Sequence, residues 1–173
     1  MSAPVIWSSE TPLREYARNL ACMLNQNAAK FGERPAYQEL RNGTYHPLSW
    51  SQFQKDIRSI QAGLRDRGLE AGERVAIVSR NRQEMLELEL AVMAMGAVAV
   101  PIFAAYTPPQ TEALVKFCEP RLVAVAEQMH FDKIGDPSHY AAVLHFSQLD
   151  HNHTENLIPF RDLLASRPSS EGI

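Results

Sequence analysis

Residues 73–103 read ERVAIVSRNRQEMLELELAVMAMGAVAVPIF. Four apolar residues, Val75 to Val78, are followed by the polar Ser79-Arg80-Asn81-Arg82. A long apolar helix pattern comes next, then a second apolar run ending at Pro101. Strand, loop, helix, strand is the order of a βαβ unit. Two parallel strands need a crossover between them, and a helix laid on the sheet supplies it. The helix, over 83–95, carries Met85, Leu86, Leu88, Leu90, Val92, Met93 and Met95. That stripe is wider than one dry face requires, so it predicts a helix covered on a second side by other elements. Its methionines read as core filler rather than as a cofactor box.

Upstream, Ser49 is placed to cap a helix whose residues Trp50, Phe53, Ile57, Ile60 and Leu64 repeat at steps of three and four. Gly68 closes it. Before that, residues 36–48 predict a hairpin around Asn42-Gly43, the dipeptide that best tolerates positive φ at both turn positions. Pro47 confines its strand to an edge or an end. A first helix is expected to open at Thr11-Pro12. It would run through Leu13, Tyr16, Ala17, Leu20, Leu24, Ala28 and Phe31 to Gly32.

Downstream, Thr107 with Pro108 and Pro109 opens a helix whose apolar side reads as Leu114, Val115, Phe117 and Cys118. Leu122 to Ala126 is a buried strand, residues 129–134 a weak helix, and residues 141–146 one more strand. A last short helix is expected over 157–164, and residues 147–173 read as a linker. The alternation of helix and apolar strand predicts one α/β domain over 1–173. Its sheet is layered and mostly parallel, with flanking helices and an N-terminal antiparallel hairpin. Ligands of such sheets bind beyond the carboxyl ends of the strands. Here those ends are residues 79–82 and 102–107.

The chain has 173 residues, 45% hydrophobic and 21% charged, with a net charge of −3. That balance offers no basic footprint for nucleic acid or an anionic membrane. No apolar run has the roughly 18–20 residues of a membrane span. The opening MSAPVIWSSETP lacks the basic-then-apolar pattern of a secretion signal. Cys22 and Cys118 fall among apolar neighbours in helix patterns, which predicts buried free thiols and suits a reducing cytoplasm.

Chemistry-bearing motifs are few. The eight glycines include no G-x-G-x-x-G, no lysine follows a glycine, and no serine sits in G-x-S-x-G. His151 and His153 lie with Asp150 and Glu155 in a polar stretch and read as solvated loop residues. His46, His130, His139 and His145 are isolated, so each is expected at the surface or satisfied. Glu87 and Glu89 are two apart on one helix, so they point in different directions and make no acid/base dyad. The residues themselves therefore nominate no catalytic, cofactor-binding or metal-binding position.

Two segments together resemble the AMP-forming acyl-CoA synthetase (adenylate-forming) superfamily. Leu48-Ser49-Trp50-Ser51-Gln52-Phe53 looks like its first core motif. Gly72-Glu73-Arg74-Val75-Ala76-Ile77, Asn81-Arg82-Gln83-Glu84 and Met95-Gly96-Ala97-Val98-Ala99-Val100-Pro101-Ile102 resemble its "G-D-R-V-A-I … N-R-P-E … A-G-A-V-x-V-P-I" pattern. The Asn81-Arg82-Gln83-Glu84 version is closest to the long-chain fatty acid–CoA ligases. The resemblance implies the N-terminal portion of an enzyme that uses ATP, Mg²⁺ and CoA to convert a fatty acid to an acyl-adenylate and then a CoA thioester. The family's phosphate loop ending in Pro-Lys-Gly, its Tyr-Gly-x-Thr-Glu and Thr-Gly-Asp segments and its C-terminal lysine have no counterpart here. No functional residue is thus carried over, and no ligase activity is expected of this piece alone. Its implied partner is the remainder of the parent synthetase, and apolar surface left open by the cut predicts a homo-oligomer. Two other readings stay open: a complete, non-catalytic interaction or regulatory module, and a generic flavodoxin-like ligand-binding domain.

Overall fold

The structure, a computed structural model, describes residue 11 and residues 16–150 and 155–166. The helices are α1 (Leu20–Phe31), α2 (Trp50–Asp66), α3 (Gln83–Ala94), α4 (Pro108–Cys118), α5 (Gln128–Phe131) and α6 (Phe160–Leu164). The strands are β1 (Pro35–Arg41), β2 (Thr44–Ser49), β3 (Arg74–Ser79), β4 (Val98–Phe103), β5 (Leu122–Val125), β6 (Ala142–His145) and β7 (Leu157–Pro159).

β3 to β7 form one parallel sheet in the order β4-β3-β5-β6-β7. β1 and β2 form a separate antiparallel pair, turned at Asn42-Gly43 with φ positive at both residues. The βαβ unit of residues 73–103 is present: β3 pairs with β4, and α3 joins them. Because side chains alternate along a strand, the sheet feeds two cores. Val75, Ile77, Leu122, Ala124, Ala142 and Leu144 face a core shared with α1, α2, α3 and α6. Ala76, Val78, Val123, Val125 and Val143 face the other, shared with Val115 of α4 and with Ile134, Tyr140 and Leu149.

Backbone parity along β4 follows from one bond. The Val98 amide donates to the Glu73 carbonyl at 2.8 Å, so Val98, Val100 and Ile102 turn their N–H and C=O toward β3. Ala99, Pro101 and Phe103 then turn theirs outward. Pro101, with no N–H to give, sits where the sheet loses nothing by it.

Four expectations need correction. The first helix begins at Leu20, where the Asn19 side chain accepts from the Cys22 amide at 2.8 Å; Tyr16 and Ala17 lie outside it, and residues 12–15 lie outside the described residues. Asparagine makes a better cap than continued apolar spacing makes a helix. Phe117 is not on the buried side of α4 but 86% exposed, and Leu114 is exposed too; Thr111 and Val115 carry the contact. Cys22 is exposed and Cys118 part-exposed, both as free thiols. Residues 157–164 are not one helix: Leu157–Pro159 is a fifth parallel strand beside β6, and only then does α6 begin.

The expected linker over 147–173 thus contains an ordered strand and helix, and residues 167–173 lie outside the described residues. α6 packs tightly on α2. A Cβ added to Gly63 would come within 2.7 Å of Leu163 Cδ2 and 3.1 Å of Leu163 Cα, so only glycine lets the two helices meet there. α3 touches α1, α2 and the sheet. Leu88, Ala91 and Val92 are buried, Met85, Leu86 and Leu90 half-buried, and Met93 exposed.

Candidate functional site

The chain leaves β3 for β4 on one side and returns through α4 to β5 on the other. The strand order therefore reverses at β3, and the crevice between the carboxyl ends of β3 and β5 is where a sheet of this kind takes a ligand. An ion pair spans it: Arg80, after β3, lies 3.6 Å from Glu127, after β5. Arg82 forms a two-pronged pair with Glu84, with Nε and Nη2 each donating at 2.8 Å. Its guanidinium stands 5.5 Å from the centre of the Phe146 ring, and Nη1 reaches Ser147 Oγ at 3.4 Å. Partial burial pushes the Glu84 carboxyl up, but the Arg82 fork and a backbone bond outweigh it and hold the group below the ordinary carboxylate range. Both arginines at this crevice are thus already paired with carboxylates.

Of the other residues at the strand ends, Ser79 donates its hydroxyl to the Arg80 carbonyl at 2.6 Å. Asn81 borders a hollow of about 300 Å³ with Tyr37, Arg82, Met85, Leu86 and Glu89. Tyr106 stacks edge-on against Phe103 at 5.5 Å. A second hollow of about 320 Å³ opens at the ends of β6 and β7, where Phe146 and Phe160 meet edge-on at 5.0 Å. His145, at its wall, is held through Nδ1 by the Ser147 carbonyl at 2.9 Å. His46 and His139 are exposed, as expected; His151 and His153 lie outside the described residues. Among the described residues no three His, Cys, Asp or Glu side chains gather as metal ligands.

Two groups escaped the sequence reading. His130 is neither at the surface nor satisfied. It is 1% exposed, its Nδ1 has no hydrogen-bond partner among the described residues, and burial pushes its pKa down. Glu87 is also 1% exposed. Burial pushes its carboxyl up to about 7, and the nearby charges of Asp56 and Glu84 add to the shift. Gln83 Nε2 donates to it at 2.8 Å and only partly offsets that push. The spacing could have revealed it: Glu87 shares a helical face with Leu88 and Ala91, and that face is the dry one.

Comparison with known proteins accounts for this arrangement. Residues 24–169 match the AMP-binding enzyme family. A long-chain-fatty-acid–CoA ligase of Thermus thermophilus is 28% identical over 153 residues, which are 84% of this chain and 27% of that enzyme. The long-chain-fatty-acid–CoA ligase FadD15 of Mycobacterium bovis is 32% identical over 108 residues, 58% of this chain and 18% of the enzyme. Among solved structures, an acyl-CoA synthetase of Brucella canis superposes with a TM-score of 0.70 at 21% identity, covering 82% of this chain and 26% of its own. Coronafacic acid ligase of Pectobacterium brasiliense reaches 0.77 at 14% identity, covering 86% and 30%. These two show the shared fold. The chain spans less than a third of each of these relatives. A match over most of its length, on the α/β scaffold just described, makes this chain a member of the AMP-binding, adenylate-forming enzyme family.

Proposed function

We propose that this chain is the N-terminal scaffold of a long-chain fatty acid–CoA ligase and has no ligase activity by itself. In the whole enzyme the fatty carboxylate attacks the α-phosphorus of ATP, aided by Mg²⁺, and pyrophosphate leaves. The CoA thiol then attacks the acyl-adenylate, and AMP leaves with the bonding electrons. The observation that carries this reading is the match over residues 24–169 together with relatives that are themselves long-chain ligases. The pairing of Arg80 and Arg82 with carboxylates, and the lack of a glycine in residues 79–82 to cradle a phosphate, support a nucleotide site elsewhere in the synthetase. No step of the reaction is therefore assigned to a side chain of this chain. Its partner is the remaining polypeptide of the synthetase, in the cytoplasm. In isolation the chain associates into a dimer or larger oligomer through apolar surface.

The test is direct. The purified chain, given fatty acid, ATP, Mg²⁺ and CoA, is expected to release no AMP above background. Turnover at a rate typical of an enzyme would sink the scaffold reading. Light scattering at rising protein concentration reports the association, and a monomer throughout would count against that part.

A further inference from the structure

α3 uses two sides. Leu88, Ala91 and Val92 meet the core. Met85 and Leu86 stand four and three residues before Glu89, so these three share a second stripe along the helix. That stripe, with Asn81 and Arg82 before the helix and Tyr37 of β1, walls the hollow of about 300 Å³. The volume is at the small end of ligand sites, and the wall has their usual make-up of apolar side chains with a few polar groups among them. The polar groups are not alike. Arg82 is committed to Glu84, so its charge is already offset. Glu89 is half-buried and makes no hydrogen bond or ion pair with any described residue. Burial pushes its carboxyl above the ordinary carboxylate range, and no neighbouring charge pulls it back. The Tyr37 hydroxyl and the Asn81 amide also have no partner among the described residues. With Arg82 and Glu84 cancelling, the hollow holds one uncompensated negative charge beside an aromatic ring and two apolar side chains.

We propose that this hollow between the hairpin and α3 binds a small organic cation, a primary ammonium on a short apolar chain. The ammonium pairs with the Glu89 carboxylate and donates to the oxygens of Tyr37 and Asn81. The apolar chain lies against Met85 and Leu86, and the Tyr37 ring adds the attraction of an aromatic face for a cation. A metal ion is a poor occupant. One carboxylate, one hydroxyl and one amide supply too few oxygens for a hard cation, and no three ligating side chains gather among the described residues. An anion fits no better, since it meets the Glu89 charge and an arginine that is already taken. The site stands whether or not this chain is a section of a larger synthetase.

Titration with butylammonium chloride, followed by NMR, tests the site. It is carried out on the 173-residue chain and on the full polypeptide encoded by its gene. Resonances of Tyr37, Asn81, Met85 and Glu89 are expected to shift and to saturate at roughly millimolar amine, an affinity within reach of so small a ligand. Butanol, which has the same chain without the charge, and sodium chloride at matched ionic strength are expected to give no saturation at about tenfold higher concentration. Glu89→Gln keeps the shape and removes the charge. It is expected to weaken the amine at least about tenfold while resonances far from the hollow stay in place. Shifts that never saturate overturn the proposal. So does saturation at equal concentration by butanol, which would make the hollow merely apolar, or an unchanged affinity in Glu89→Gln. Binding to the short chain but not to the full polypeptide also overturns it, because the hollow is then filled in the whole protein. None of these outcomes touches the scaffold reading, which stands or falls on AMP release.

Discussion

The two faces of one sheet are covered very unequally. On one, α2 presents Phe53, Ile57, Ile60 and Leu64 as a stripe, with α1, α3 and α6 completing the layer. On the other, α4 buries only Thr111 and Val115, and α5 is a single turn. Both faces derive from strands of similar apolar character, so the strands cannot explain the difference. The helices do. A helix with apolar residues at i, i+3, i+4 and i+7 seals a face alone, whereas α4 turns Leu114 and Phe117 outward. Both faces bury the apolar residues of β3 and β5 completely, the thin one with Val115, Ile134, Tyr140 and Leu149 rather than with a helical stripe, so its cover is one side chain deep where α4 meets solvent.

Mutations can break or sharpen that contrast. Ile57→Ala removes a fully buried side chain from the thick face, and a loss of about 2–5 kcal/mol in urea unfolding is expected. A loss under about 1 kcal/mol would mean that face is loosely packed and the contrast is false. Glu87 is the flaw in the thick layer. Its folded carboxyl titrates at about 7, above its ordinary value, so the folded state holds the proton more tightly than the unfolded one. Stability from this group is full below the ordinary carboxylate pKa and is lost as pH rises toward 7. The total is at most about 3 kcal/mol. Glu87→Gln should flatten the difference between pH 5 and pH 8 and stabilise the protein at pH 8. An unchanged pH profile would show that Glu87 is solvated. On the thin face, Phe117→Ala is expected to change stability by less than about 0.5 kcal/mol, since the ring is mostly in solvent. A loss above about 2 kcal/mol would show that the Phe117 ring is packed rather than solvated.

Much of this was legible beforehand, for identifiable reasons. Val75 to Val78 and Leu122 to Val125 are continuous apolar runs because both faces of a parallel sheet are dry. Asn42-Gly43 named its turn, and Ser49 and Thr107 named their helices. β7 was not legible: three residues ending in proline, after a polar stretch, give neither length nor alternation. The bare side of α4 was not legible either, because periodicity places Leu114 and Val115 side by side and cannot say which meets a sheet. Nor does strand order follow from alternation; β5 could have joined β4 and instead crossed to the far side of β3. At the crevice, the composition of residues 79–82 was plain, but the pairing of Arg80 with Glu127 needed the crossover.

Gly63 has a kinetic side. The notch it leaves is filled by Leu163, the far end of a loop that includes all five strands of the parallel sheet. Closing so long a loop has an entropic cost that only late contacts repay, and folds rich in such distant contacts form slowly. α2 can wind early on its own local pattern, but its last flank stays wet until β7 and α6 arrive. A chain leaving the ribosome from its N-terminus would hold that flank open through the synthesis of β3 to β6. The interval is a window for chaperones, and the glycine sets when it shuts.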